Sequence, residues 1–185
     1  IGTSAFYNCT NLTSITIDEN NPIYDSRNNC NAIIMTSLNY LLFGVKNTTI
    51  PDSVTSIGNS AFMNCTGLTT INIPNSVEGC PCFLHCHGLQ HVKLPENPNF
   101  TYMGYGAFMG CRSLKSVTIP ASVVTISDTV FGSEWEPSVL EEIHFKSTTP
   151  PSIHEKSGLP KYWDCKIFVP QGSYNAYKTN SSFKD

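Results

Sequence analysis

Ionic side chains are scarce in this chain. Only 14% of its 185 residues are charged, 11 basic against 14 acidic, for a formal net charge of -3. So few cations give no stripe that could neutralise phosphates, which argues against nucleic acid or anionic lipid as a partner. Long apolar runs are missing as well. The longest candidate, Tyr40-Leu41-Leu42-Phe43, falls far short of the roughly 20 residues that cross a bilayer as a helix, so no membrane span is expected. No Gly-rich phosphate loop occurs, and Gly104-x-Gly106 opens an ordinary turn. The start, Ile1-Gly2-Thr3-Ser4, has neither an initiator Met nor a basic-then-apolar leader, and reads as a trimmed or processed piece. What keeps the surface soluble is Asn, Ser and Thr, a composition common outside cells.

What is present is a repeat. Ala61-Phe62-x-x-Cys65-x-x-Leu68-x-x-Ile71-x-Ile73-Pro74 recurs as Cys82-Phe83-x-x-Cys86-x-x-Leu89-x-x-Val92-x-Leu94-Pro95 and as Ala107-Phe108-x-x-Cys111-x-x-Leu114-x-x-Val117-x-Ile119-Pro120. A truncated copy runs from Ala5-Phe6 to Ile17, and a degenerate one starts at Val130-Phe131 and continues through Leu140, Ile143 and Phe145. From Phe62 the Phe-to-Phe intervals are 21, 25 and 23 residues, inside the period of a leucine-rich repeat. The closing Ile-x-Ile alternation places apolar residues on one face of a short strand and the intervening residue on the other. Ala-Phe-x-x-Cys suits one helical turn tucking Phe and Cys inward, and Pro51-x-Ser53-Val54 and Pro120-x-Ser122-Val123 suit a corner before a second extended segment. A unit this small cannot bury its own apolar edge, so stacked copies should share one column containing Phe6, Phe62, Phe83, Phe108 and Phe131.

On these residues the chain resembles the BspA-like leucine-rich-repeat family, whose unit residues 50–73 match almost throughout. The resemblance implies a β-rich leucine-rich-repeat solenoid: a right-handed coil with short strands on two sides, short helical turns, an inserted β-hairpin and a C-terminal cap. The expected organisation is one solenoid over 1–185. Residues 1–17 form a partial first repeat, 18–50 an irregular repeat holding a hairpin (Ala32-Ile33-Ile34-Met35 and Tyr40-Leu41-Leu42-Phe43-Gly44), 51–145 the regular repeats, and 146–185 a capping region with a closing strand and short helix. The family also implies a secreted or cell-surface bacterial protein, active in adhesion or partner binding, whose partner is a host or extracellular-matrix protein.

Clusters that invite chemistry have simpler readings. Cys80, Cys82, Cys86, His85, His87 and His91 look zinc-like, but Cys86 occupies the ladder position of Cys9, Cys65 and Cys111, and Cys82 that of Ala61 and Ala107, so both should face the core. The ladder cysteines read as buried free thiols acting as small apolar fillers; a bridge involving Cys30, Cys80 or Cys165 stays open. Glu141-Glu142 with His144, and Glu134-x-Glu136, read as solvated edges. No nucleophile and base are brought together, so the chain is read as non-enzymatic, without cofactor or metal.

With Ile15 and Ile17 inward, Ser14 and Thr16 face out. The same phase marks Thr70 and Asn72, His91 and Lys93, Ser116 and Thr118, and Glu142 and His144. This ribbon reads either as a protein-binding face or merely as a soluble strand surface. Two further readings stand beside it. The chain could be a passive spacer, with recognition by the hairpin through Tyr40 and Phe43 or by sequence beyond this chain. Alternatively it takes a glycan on Tyr102, Tyr105, Trp135 or Trp163, although aromatics stacked under a neighbouring repeat are the commoner case. A monomer is expected.

Overall fold

The computed structural model describes the whole chain except residues 3–4, 7–8, 10, 134–137, 155–164 and 184–185. Its strands are β1 (Tyr24–Asp25), β2 (Ala32–Met35), β3 (Tyr40–Gly44), β4 (Ser56–Ile57), β5 (Thr70–Asn72), β6 (His91–Lys93), β7 (Tyr102–Met103), β8 (Ser116–Ile119), β9 (Thr125–Ile126), β10 (Glu142–Phe145), β11 (Ser152–Ile153) and β12 (Lys166–Phe168), followed by a short α-helix, α1 (Tyr174–Thr179). Strands from successive coils pair in parallel, as expected of a solenoid in which each coil repeats the path of the last. On the front, β5 pairs with β6, and β8, β10 and β12 form a second ladder; on the back lie β7, β9 and β11. The antiparallel hairpin β2–β3 carries β1 on one side and joins the solenoid through a parallel pairing of β3 with β4. This is a β-rich leucine-rich-repeat solenoid.

Between the faces runs the aromatic column. Phe62 stacks on Phe83 with centroids 5.4 Å apart, Phe83 on Phe108 at 5.6 Å and Phe108 on Phe131 at 6.0 Å, and all four rings are buried. Phe6 departs from the expected column: it is half-buried and stacks on Phe43 of the hairpin at 4.8 Å. Because β3 is built into the wall, its ring takes a place that the repeat register alone assigns to a neighbouring coil.

Local chemistry explains the rest of the motif. The turn after each Phe closes with the Cys65, Cys86 and Cys111 amides donating to the Phe62, Phe83 and Phe108 carbonyls. It requires a left-handed residue just before Cys, and Asn64 (φ 59), His85 (φ 59) and Gly110 (φ 75) supply it. Asn and Gly are the residues that tolerate that conformation best. The thiols do more than fill space: Cys86 Sγ donates to the Phe62 carbonyl of the preceding coil at 3.0 Å, and Cys111 Sγ to that of Phe83 at 3.2 Å. The Ser of Pro-x-Ser-Val stitches coils in the same way, Ser76 Oγ donating to the Val54 carbonyl at 2.6 Å and Ser122 Oγ to that of Phe100 at 2.9 Å. Coils also approach closely at Gly88, where a Cβ would run into the carbonyl oxygen of Thr66.

One position is strained. Thr129 adopts φ 54, where the preceding coil has Gly106 at φ 63, and its hydroxyl is buried without a hydrogen-bond partner among the described residues. A β-branched residue in that region costs roughly 1–2 kcal/mol, and the orphaned hydroxyl adds to it. Thr129→Gly is therefore expected to raise stability by about 1 kcal/mol, read as a higher denaturation midpoint at unchanged m-value; a lower midpoint would show that this backbone is not strained.

Two ends differ from the pattern. No strand forms over residues 14–17; the Ile17 amide donates to Ser26 Oγ at 2.9 Å and the Ile15 amide reaches Asn31 Oδ1 at 3.4 Å, so side chains of the hairpin repeat replace a ladder partner. Within that repeat, Arg27 pairs with Asp25 at 2.6 Å and holds its carboxyl down at about 2. At the other end, buried Tyr177 of α1 packs with Phe145 and Phe183, and its hydroxyl donates to the Ser147 carbonyl at 2.9 Å.

Candidate partner-binding face

Strand register fixes the front face. Thr70 lies opposite His91 and Asn72 opposite Lys93; Ser116 lies opposite Glu142, itself opposite Lys166; and Thr118 lies opposite His144, itself opposite Phe168. Between these residues Ile71, Val117 and Ile143 point inward and are buried, while Val92 is partly buried against the same core. Of the sequence-predicted residues, Thr70, Asn72, His91, Lys93, Ser116 and Thr118 are exposed, and Glu142 and His144 are partly covered. Ser14 and Thr16 are exposed too, but belong to no strand, so the structure does not place them in the hydrogen-bonded ladder. The ladder also divides between β6 and β8. The coil joining them carries the longest Phe-to-Phe interval, which gives the chain room to leave register there.

Sequence reasoning stopped this face one strand early. β12 adds Lys166 and Phe168, and the Phe168 ring lies parallel to the His144 imidazole, 4.4 Å between centroids at 4°. His144 Nε2 also sits 3.0 Å from Glu142 Oε2. Phe168 is 43% exposed, a large apolar ring on a face otherwise made of hydroxyls, amides and charges. The closing strand lacks the Ala-Phe-x-x-Cys lead-in, but its Lys-Ile-Phe alternation carried the signal.

Charge on the face alternates: Lys93, then Glu142, then Lys166. Lys115 pairs with Glu141 at 2.9 Å, and Lys146 pairs with Glu96 across coils at the lower rim. Exposed pairs of this kind contribute little to stability but set the pattern that a partner meets. At the β5–β6 end, an open depression is lined by Asp52, Asn72, Pro74, Asn75 and Lys93.

His85 and His87 of the zinc-like cluster lie edge to face, 5.8 Å between ring centroids. Among the described residues no three His, Cys, Asp or Glu side chains form a metal-holding group. Cys86 is buried as its ladder position implies, as is Cys111, while Cys65 and Cys82 are half-buried and Cys9 is exposed; all eight cysteines are free thiols. Burial pushes the Cys65 thiol up to about 11 and that of Cys80 to about 12, and raises that of Cys86. Such thiols stay protonated and make poor nucleophiles at neutral pH. No described helix is long and apolar enough to cross a membrane. Tyr40 and Phe43 of the hairpin are half-buried, Phe43 against Phe6. Tyr102 and Tyr105, expected beneath a neighbouring repeat, are instead exposed. Trp135 and Trp163 lie outside the described residues.

The sequence profile described as BspA type leucine rich repeat region matches residues 1–40 and 36–150 in six copies. Among solved structures, the chain is similar to a leucine rich cell surface protein of Faecalibacterium prausnitzii A2-165, with a TM-score of 0.68 and 27% identity over 96% of this chain and 47% of that one. It is also similar to the pneumococcal vaccine antigen PcpA, with a TM-score of 0.64 and 16% identity over 93% of this chain and 49% of that one. A Treponema pallidum leucine rich repeat protein shares the fold at a TM-score of 0.50 and 18% identity, covering 89% of this chain and 69% of that one. The chain thus spans about half the length of the first two. No curated protein matches it.

Proposed function

The chain belongs to the BspA-type leucine-rich-repeat family, and on that premise we propose that it is a non-enzymatic scaffold, exposed outside the cell or at its surface, whose front strands bind a protein partner. The observation carrying this reading is the front ladder itself: outward side chains held at fixed spacing by parallel strands over a rigid core, with one exposed aromatic, Phe168, stacked on His144 at its end. Interfaces draw most of their energy from a few aromatic anchors surrounded by polar contacts, and rigid strands limit the ordering cost on binding. Kinship in fold with a protein described as cell-surface and with a vaccine antigen supports the location.

The test is binding to a panel of purified extracellular-matrix proteins. Phe168→Ala or His144→Ala is expected to weaken the interaction tenfold or more, and Lys93→Ala to act chiefly on the association rate and its salt dependence. Leu38→Ala, at the exposed hairpin turn, should leave binding unchanged. Loss of binding in the hairpin variant alone would move recognition to the insertion and leave the coils a spacer.

A further inference from the structure

The back face carries a second, chemically different surface. Met103, Ile126 and Ile153 of β7, β9 and β11 turn inward, so Tyr102, Thr125 and Ser152, in register with one another, turn outward. One residue beyond each strand end come Gly104, Ser127 and His154, joined across coils by the Ser127 amide donating to the Met103 carbonyl at 3.0 Å and the His154 amide to that of Ile126 at 3.2 Å. Tyr102 is 47% exposed and Tyr105 is 65% exposed. Gly104 stands between them, and even a Cβ there would meet only the edge of the Tyr102 ring, at 3.7 Å, so no bulkier side chain shields the ring. At the neighbouring coil, Asp128 Oδ1 and His154 Nδ1 are 3.8 Å apart, too far for a hydrogen bond and close enough for one ligand hydroxyl to bridge.

We propose that this ledge, built around Tyr102 and Tyr105, is a binding subsite for a neutral pyranose glycan. A pyranose ring presents a C–H face that stacks on an exposed phenol ring, and hydroxyls on its edge that both donate and accept. Tyrosine supplies an apolar body with a polar tip, and Thr125, Ser127, Ser152, Asp128 and His154 supply the matching donors and acceptors. The outward positions advance about 4.8 Å per strand, a step commensurate with successive sugar units. Residues 101–105, 124–128 and 151–154 contain no Lys or Arg, which selects an uncharged ligand over a sulfated or uronic one. The site is separate from the front ladder and does not depend on it.

Titration of the full chain with cellohexaose, xylohexaose, mannohexaose and chitohexaose, with a heparin hexasaccharide as the charged comparison, tests this. Calorimetry and saturation-transfer NMR should show saturable binding of at least one neutral hexamer. The Tyr102→Ala/Tyr105→Ala variant should lose at least tenfold in affinity, Tyr105→Phe should retain most of it, and Phe168→Ala should bind as the parent does. Both tyrosines are exposed, so an unchanged thermal midpoint confirms that the double variant is folded. Absence of saturable binding to every neutral hexamer, preference for heparin, or unchanged binding by the double-alanine variant would overturn the assignment.

Discussion

Phe108→Ala is expected to lower the unfolding free energy by about 3–5 kcal/mol, from lost transfer energy plus the cavity left behind. Phe108 is 1% exposed and has a ring on each side, Phe83 at 5.6 Å and Phe131 at 6.0 Å. Its amide also donates to the Val130 carbonyl at 2.7 Å, and Cys111 at the end of the same turn reaches Phe83, so the backbone around it is tied to both neighbours and cannot collapse into the void. In a solenoid each coil touches only the next, so weakening one interface threatens to uncouple the array into halves. Chemical denaturation should therefore show both a lower midpoint and a shallower or split transition. Phe168→Ala, which removes a 43% exposed ring from the edge strand, should shift the midpoint far less, and that contrast separates column from surface.

The second large effect is alkaline. The thiols of Cys65, Cys80 and Cys86 have folded-state pKa values above the ordinary 9.0, chiefly because burial disfavours the thiolate. Below about pH 9 the thiol is protonated in both folded and unfolded chains and contributes no pH dependence to stability. Above it the unfolded chain releases the proton while the folded chain keeps it, so stability falls by about 1.4 kcal/mol per pH unit for each such thiol. For Cys65 the fall ends near pH 11, and for Cys80 near pH 12. With a phosphine reductant present, the denaturation midpoint should drop steeply from pH 9 to pH 10.5. Cys86→Ala should be less stable at neutral pH yet lose stability more gradually over that window, by about 1.4 kcal/mol per pH unit less. Parallel profiles for parent and variant would show that Cys86 is not sequestered.

Much of the architecture is legible from two periods. The recurrence of Phe identifies the coil, and the alternation after Leu68, Leu89 and Leu114 identifies the strand face, so Thr70, Asn72, His91, Lys93, Ser116 and Thr118 could be placed outward without coordinates. Where a non-repeating element intrudes, the periods say nothing. The hairpin interposes Phe43 as the partner of Phe6, and the side chains of Ser26 and Asn31 take the amides that a strand over residues 14–17 would have offered a neighbour. Phe168 is not marked by the repeat because its coil lacks the lead-in motif; Tyr102 and Tyr105 are visible as candidate platforms, but their exposure is not, because it depends on a glycine between them and on how three coils superpose. The cross-coil bonds of Cys86, Cys111, Ser76 and Ser122 explain two recurrent motif letters that periodicity treats as mere small residues.

Everything assigned to the two outer surfaces follows from rings stacked in one continuous inner file, and a double-mutant cycle interrogates that file directly. Phe83→Leu and Phe108→Leu, singly and together, should show a coupling of about 0.5–1.5 kcal/mol in denaturation free energy, the signature of adjacent aromatic rings. The same cycle on Phe62 and Phe131, at opposite ends of the file, should be additive within about 0.5 kcal/mol. Additivity at the adjacent pair would mean the rings do not touch, and the outward phase of every strand would have to be reassigned.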